Sequence, residues 1–290
     1  MTARDIAFAV SVAIIWGFAF IATEFALQSF SAPQLTALRF ILAALPVLFI
    51  RRPDVSWGVL IALGSFLFIG QFMMLFFAYK VGMPPGLASV ATHTQALFTI
   101  ILAAVVMAEV PGPRRVFGIV IAFAGLALVA ASVDGGGELT YLGLALTLLG
   151  ALSWSVGNVI LKRLGRVDML ALMIWLSVVP PLPALMLSVA LGDTPGLADA
   201  LAAASWKSWL SVLYLGLIST TVAYAVWGRL LNIYPAAQVT PFALFAPCAG
   251  VIGSYLVFGE TFGPLRATGV VLIFIGVAVT VIGRRGAMRS

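Results

Sequence analysis

Residues 109–118 read Glu-Val-Pro-Gly-Pro-Arg-Arg-Val-Phe-Gly, and residues 260–269 read Glu-Thr-Phe-Gly-Pro-Leu-Arg-Ala-Thr-Gly. Both fit Glu-x-x-Gly-Pro-x-Arg-x-x-Gly, and they lie 151 positions apart. The same displacement sets Pro84 on Pro235, Phe123 on Phe274, Gly125 on Gly276 and Ala127 on Ala278, with no insertion needed. Between these fixed points both copies are long apolar runs. A repeat of this length in a membrane chain implies two similar halves that can rock about a site between them, the organisation of a transporter.

Composition agrees. The 290 residues are 62% hydrophobic and 9% charged, with a mean hydropathy of +1.15. A soluble domain of this length could not cover so much apolar surface. A transmembrane β-barrel is excluded because it needs polar and apolar positions to alternate in segments of about ten residues. The net charge of +6 does not point to nucleic acid, since the charges sit singly or in pairs in the gaps between apolar runs. The single cysteine, Cys248, leaves no intrachain disulfide. The first apolar run, flanked by Arg4, lacks a small-residue cleavage site and is expected to be a span and not a cleaved signal peptide.

Ten runs of helical length follow, at roughly 5–28, 33–50, 57–79, 86–107, 115–132, 139–163, 168–190, 208–229, 237–257 and 266–283. The connections are short. Asp134-Gly135-Gly136-Gly137-Glu138 is the expected link between halves, and 191–207 is long enough for a surface-lying amphipathic segment. With the N-terminus in the cytoplasm, Arg4, Arg51, Arg52, Arg114, Arg115, Lys162, Arg163, Arg166, Arg229, Arg284, Arg285 and Arg289 fall inside. Only Lys80, Lys207 and Arg266 fall outside, a strong positive-inside bias with both termini cytoplasmic. Five spans per half is an odd number, so the second half enters the membrane from the opposite face. The expected fold class is therefore an all-α polytopic membrane protein of ten transmembrane helices, built as two inverted five-helix repeats over 1–134 and 135–290.

These residues resemble the drug/metabolite transporter superfamily, and its EamA family in particular. The resemblance rests on the two Glu-x-x-Gly-Pro-x-Arg-x-x-Gly segments with their later glycines, on Trp16-Gly17 and Trp154, and on Ala37-Leu38-Arg39-Phe40. It spans essentially the whole chain. Within the family the chain looks most like the YddG-type, broad-specificity amino-acid exporters. The resemblance implies a basket of helices in which spans 1–4 and 6–9 surround a central cavity, while spans 5 and 10 pack together away from it. Gly118/Gly125 and Gly269/Gly276 suit that packing, as does the stripe Gly143, Gly150 and Gly157 on span 6, because small residues let helix backbones approach in lipid.

Polar groups inside apolar runs are costly and mark function. The densest set, Ser89, Thr92, His93, Thr94, Gln95 and Thr99, is in span 4. His93 lies ~11 Å inside its span, and Gln71 of span 3 reaches a similar depth. Gln71, His93 and Gln95 are expected to bind substrate, with Phe72, Met73, Met74 and Phe76 as walls. Their repeat partners are Val222, Leu244 and Ala246, so this polarity belongs to one half only. The alternative is that these groups only bond helix to helix. Trp16, Trp154 and Asn158 are expected to floor the cavity, with buried packing as the alternative. Tyr224 and Trp227 read as interfacial anchors, and Thr220 and Thr221 as weak cavity candidates. Glu24 and Arg39 are the charges within spans, expected to form an ion pair or gate, with a substrate-carboxylate role for Arg39 as the minor alternative. Glu109 and Glu260 read as loop-fixing residues. Pro241 and Pro247 in span 9, and Pro180, Pro181 and Pro183 in span 7, are candidate hinges.

No carboxylate sits in mid-span, and His93 is the one deep group that titrates near neutrality. Transport is thus expected to be uncoupled or to depend on His93. No nucleophile-elbow, zinc-protease or phosphate-loop motif occurs, and one His and one Cys leave little for a metal. No enzyme, cofactor or metal is expected. The expected function is export of small metabolites, foremost amino acids including aromatic ones, across the inner membrane by alternating access. Other metabolites or cationic drugs are the alternative substrates, and a membrane enzyme or channel the alternative class. The expected partners are the small-molecule substrate and the bilayer. Oligomeric state is not readable from the chain.

Overall fold

Thr2, Ser31, Ser56, Thr140, Asp168 and Ser205 each stand one residue before a helix and accept a backbone N–H of its first turn through a side-chain oxygen. At Ser31 the bond is reciprocal: Gln34 returns its side chain to the Ser31 N–H, a capping box. Other helices open on proline, at Pro85, Pro113 and Pro264, where the missing N–H costs nothing. The starts are therefore set by residue chemistry, and the lengths by the apolar runs.

The computed structural model describes residues 1–108, 110–133, 139–165, 167–234 and 236–281. The expected link 134–138, with Glu109, Arg166, Pro235, Arg284, Arg285 and Arg289, lies outside the described residues. Among the described residues there is no strand. Eight helices among the described residues are long and apolar enough to cross a membrane: α1 (Ala3–Ala26), α3 (Trp57–Lys80), α4 (Pro85–Met107), α5 (Pro113–Ala131), α6 (Tyr141–Arg163), α7 (Met169–Ala190), α8 (Trp206–Ile233) and α9 (Thr240–Phe258). Two shorter apolar helices, α2 (Ala32–Leu48) and α10 (Pro264–Val281), complete the order. A short helix, Leu197–Ala203, occupies the long connection before α8. Large apolar side chains face outward, Leu48, Phe49 and Val189 being 80%, 88% and 82% exposed. So much outward apolar surface suits lipid, not water. The chain is a multi-pass membrane protein.

The connections collect at two ends. At one end the Ser31 hydroxyl bonds the Asp193 carboxylate, and Gln34 Nε2 donates to the Pro195 carbonyl at 3.0 Å. There too Thr140 N–H reaches the Gly82 carbonyl at 2.9 Å, and Arg266 Nε reaches Ser132 Oγ at 3.2 Å. At the other, Tyr234 donates to Asp5 at 2.7 Å, Trp175 Nε1 to the Ile50 carbonyl at 3.0 Å and Arg163 to the Val106 carbonyl at 3.4 Å.

α5 and α10 pack on each other through the expected glycines. A methyl built at Gly118 would fall 2.7 Å from the Gly276 carbonyl oxygen, and one at Gly125 would fall 2.5 Å from that of Gly269. The reverse distances are 2.5 and 2.6 Å, so the contact is mutual and antiparallel. Gly150 of α6 likewise admits the Gln71 backbone of α3, whose carbonyl oxygen would lie 3.0 Å from an added Cβ.

The two halves break their helices at equivalent places. A π-helical stretch interrupts α3 at Gly64–Gly70 and α8 at Tyr214–Val222. The 151-residue displacement maps the first inside the second. α4 breaks at His93–Thr94, between Pro85–Thr92 and Gln95–Met107. The matching point of α9, Leu244–Phe245, is where a 3-10 stretch containing Pro241 passes into α-helix. α7 breaks between Leu176 and Pro181. The hinges expected at prolines are thus joined by breaks in α3, α4 and α8 that no proline marks.

Candidate functional site

At the breaks in α3, α4, α8 and α9 the helices part around a cavity of about 430 Å³, which no residue of α7 lines and which Val277 of α10, expected to lie away from it, does; its size is within the range of small-molecule sites. All six residues expected to bind substrate line it: Trp16, Gln71, His93, Gln95, Trp154 and Asn158. Arg39 lines it as well, and among the described residues no Asp or Glu does.

The break in α4 is held by side chains. The His93 ring bonds the Ser89 carbonyl through Nδ1 at 2.7 Å, and Thr94 Oγ1 donates to the Ala91 carbonyl at 2.6 Å. A carbonyl only accepts, so Nδ1 carries the proton and Nε2 of the neutral ring is left as an acceptor. Beyond the break, the Gln95 carbonyl accepts from Thr99 at 2.7 Å and from Ser155 of α6 at 2.8 Å. Asn158 donates to Thr99 Oγ1 at 3.2 Å. His93 and Asn158 are therefore anchored on one side and line the cavity on the other.

Across the cavity, the π-helical stretch of α8 frees backbone carbonyls. Trp16 Nε1 donates to the Ser219 carbonyl at 3.1 Å. The Trp16 ring meets Tyr224 and Trp227 at 5.5 and 5.1 Å between centroids. The expectation that Tyr224 and Trp227 anchor an interface is corrected here, because both line the cavity. α8 runs on to Ile233, which sets Trp227 ~9 Å inside the helix end. On the opposite wall Phe72 stands edge-on to Trp154 at 6.3 Å.

Three buried side-chain oxygens lack a hydrogen-bond partner among the described residues: Gln71 Oε1, Thr92 Oγ1 and Ser219 Oγ. All three residues line this cavity. A buried polar atom without a partner is destabilising by roughly 1–3 kcal/mol. Their gathering at one place is thus not what a purely structural network would show.

The expected Glu24–Arg39 pair is absent. Arg39 instead donates to Thr220 Oγ1 from Nε at 3.3 Å and from Nη2 at 3.2 Å, with its guanidinium 4.0 Å from the Phe72 ring centroid. Depth explains the difference. Glu24 is two residues from the end of α1 and Arg39 seven from the start of α2, which separates them by ~7 Å along the helix axes. Glu24 lines a second cavity of about 240 Å³, with Tyr79, the 82–85 turn, Phe258 and Glu260. Glu260 there accepts the N–H groups of Gly86 and Leu87 at 2.8 and 3.2 Å and bonds the Ser254 hydroxyl, so it ties the C-terminal end of α9 to the start of α4. Sequence reasoning missed the unpaired state of Arg39 and the cavity role of Ser219. The one available signal was Ser219-Thr220-Thr221 standing together in an apolar run.

Comparison with known proteins decides the family. The EamA-like transporter family matches twice, over residues 4–131 and 141–282. The chain belongs to the EamA-like transporter family. It is 34% identical to a probable amino-acid metabolite efflux pump of Salmonella typhimurium (strain LT2), over 98% of this chain and 97% of that one. A probable amino-acid metabolite efflux pump of Escherichia coli (strain K12) is 32% identical with the same coverage. A probable terminal-alkyne amino-acid exporter of Streptantibioticus cattleyicolor is 24% identical over 94% of this chain and 92% of that one. A protein of known crystal structure shares the fold with a TM-score of 0.67, at 19% identity and 98% coverage of both chains. This EamA-family chain is a transporter by membership, and the three relatives just described carry names of amino-acid metabolite efflux or amino-acid export.

Proposed function

We infer that this EamA-family protein is a secondary transporter that exports amino acids, aromatic ones included, across the inner membrane by alternating access. The observation that carries the assignment is that Gln71, Thr92 and Ser219, whose buried side-chain oxygens have no partner among the described residues, all line the cavity that Trp16, Trp154 and Phe72 wall with aromatic surface. Neutral acceptors and aromatic faces suit an ammonium group and an apolar side chain. The names of the relatives support the substrate class.

Gln71, His93, Gln95, Trp16, Trp154 and Asn158 form the proposed binding set. The proposed architecture is ten helices in two inverted five-helix repeats, over 1–134 and 135–290, with both termini cytoplasmic. The mutual antiparallel seam of α5 and α10 supports inversion, as do the helix breaks at repeat-equivalent positions. The Arg-rich end of the molecule, which holds Arg51, Arg52, Arg163 and Arg229, is then the cytoplasmic one. With no carboxylate on the cavity wall among the described residues, any coupled proton would be carried by His93.

The test is uptake of labelled amino acids into proteoliposomes, comparing the parent chain with Gln71→Ala and His93→Ala. Saturable uptake by the parent that falls in both variants is expected. Saturable uptake untouched by either substitution would remove this cavity from the pathway, and no uptake of any amino acid would remove the substrate class.

A further inference from the structure

Arg39 is a buried cation with no carboxylate partner among the described residues. The residue is 4% exposed and lies on the cavity wall. The Thr220 hydroxyl that receives Nε and Nη2 gives its own proton to the Leu215 carbonyl at 2.8 Å, so it meets the guanidinium with lone pairs alone. That single oxygen takes two of the five N–H donors. The Phe72 ring supports one face of the group. A guanidinium is charged at every physiological pH, and an unpaired buried charge is costly. A fixed cation on this wall binds a carboxylate through parallel N–H donors. It also repels an ammonium ion that brings no carboxylate with it.

We propose that Arg39, oriented by Thr220 and Phe72, recognises the carboxylate of the substrate and excludes amines that lack one. This rests on the amino-acid reading above and narrows it, since lipophilic cations are then rejected by charge and not by size. The ammonium end of a zwitterion is left to the neutral acceptors, of which Gln71 adjoins Phe72 in the chain.

The experiment uses the full chain in proteoliposomes with labelled phenylalanine. The competitors are 3-phenylpropanoate, which lacks the amine, and phenethylamine, which lacks the carboxylate. The parent is expected to be inhibited by the acid and not by the amine. Arg39→Gln is expected to raise the KM for phenylalanine roughly 10- to 100-fold, the size of a lost charged hydrogen bond, and to abolish the preference for acid over amine. Arg39→Lys should keep the preference at lower affinity. Thr220→Val should weaken the preference in the same direction, and it decides the matter should Arg39→Gln not yield folded protein. Equal inhibition of the parent by both competitors, or an unchanged preference in the Arg39→Gln and Thr220→Val variants, overturns the proposal. If the parent takes up no amino acid, it is the export reading that fails. Thermal stabilisation of the purified parent by the acid and not the amine, lost in Arg39→Gln, then still supports Arg39, and equal stabilisation by both overturns it.

Discussion

Gln71 Oε1 has no partner among the described residues, and this separates two roles that polar residues in membrane helices usually combine. Replacing Gln71 with Leu removes no protein hydrogen bond to that atom. Stability is expected to hold within about 1 kcal/mol or to rise, while the KM for amino acids increases about tenfold. Thermal unfolding beside proteoliposome uptake checks the pair. Glu260 is the opposite case. Its carboxylate fixes the first N–H groups of α4, so Glu260→Ala is expected to lower stability by about 2 kcal/mol. A lowered unfolding temperature with unchanged KM is the expected result. His93, Gln71 and Asn158 could be found from the chain alone because a polar side chain in an apolar run is conspicuous. The partner of Arg39 could not. Which helix a long side chain turns toward depends on rotation about the helix axis, and Thr220 is 181 positions away.

Helices are where sequence reading served best. All ten apolar runs appear as helices within a few residues of their expected limits, because length and apolarity decide them and the caps fix their starts. Their internal irregularities were only half visible. Pro241 and the Pro180–Pro181 pair mark breaks, but the π-helical stretches of α3 and α8 contain no proline. In α8 the local signal is of another kind: Thr220 and Thr221 donate to the carbonyls of Leu215 and Gly216, five residues back. The glycine seam is the sharpest test at this scale. Gly125→Leu would drive a side chain into the Gly269 carbonyl, and the variant is expected to lose the folded, monodisperse state in detergent, as read by size-exclusion chromatography. Gly58→Ala, which meets nothing within 4 Å, should be neutral or slightly stabilising.

For the whole molecule, the two clusters of connections lead to a topology prediction. A phosphatase reporter, active only outside the cytoplasm, should be inactive at either terminus and active when inserted near Asp193. An active reporter at the C-terminus would contradict the inverted five-plus-five arrangement. The chain also shows how function enters a repeat. The halves share seam, caps and helix breaks, yet Gln71, His93 and Gln95 face Val222, Leu244 and Ala246 in the repeat alignment. The frame is symmetric and its lining is not, so substrate choice can drift without disturbing the frame.

The contact of α5 with α10 has a mechanical consequence. Backbone rests on backbone there, with glycine on both sides, and the side chains closest to those glycines include the short, branched Val129, Val279 and Thr280, which have little rotamer freedom to take up a displacement. If the halves rock as proposed above, that line is the expected fulcrum. Distances measured across it by paired spectroscopic labels should stay constant through the cycle, while those between α3 and α8 lengthen and shorten.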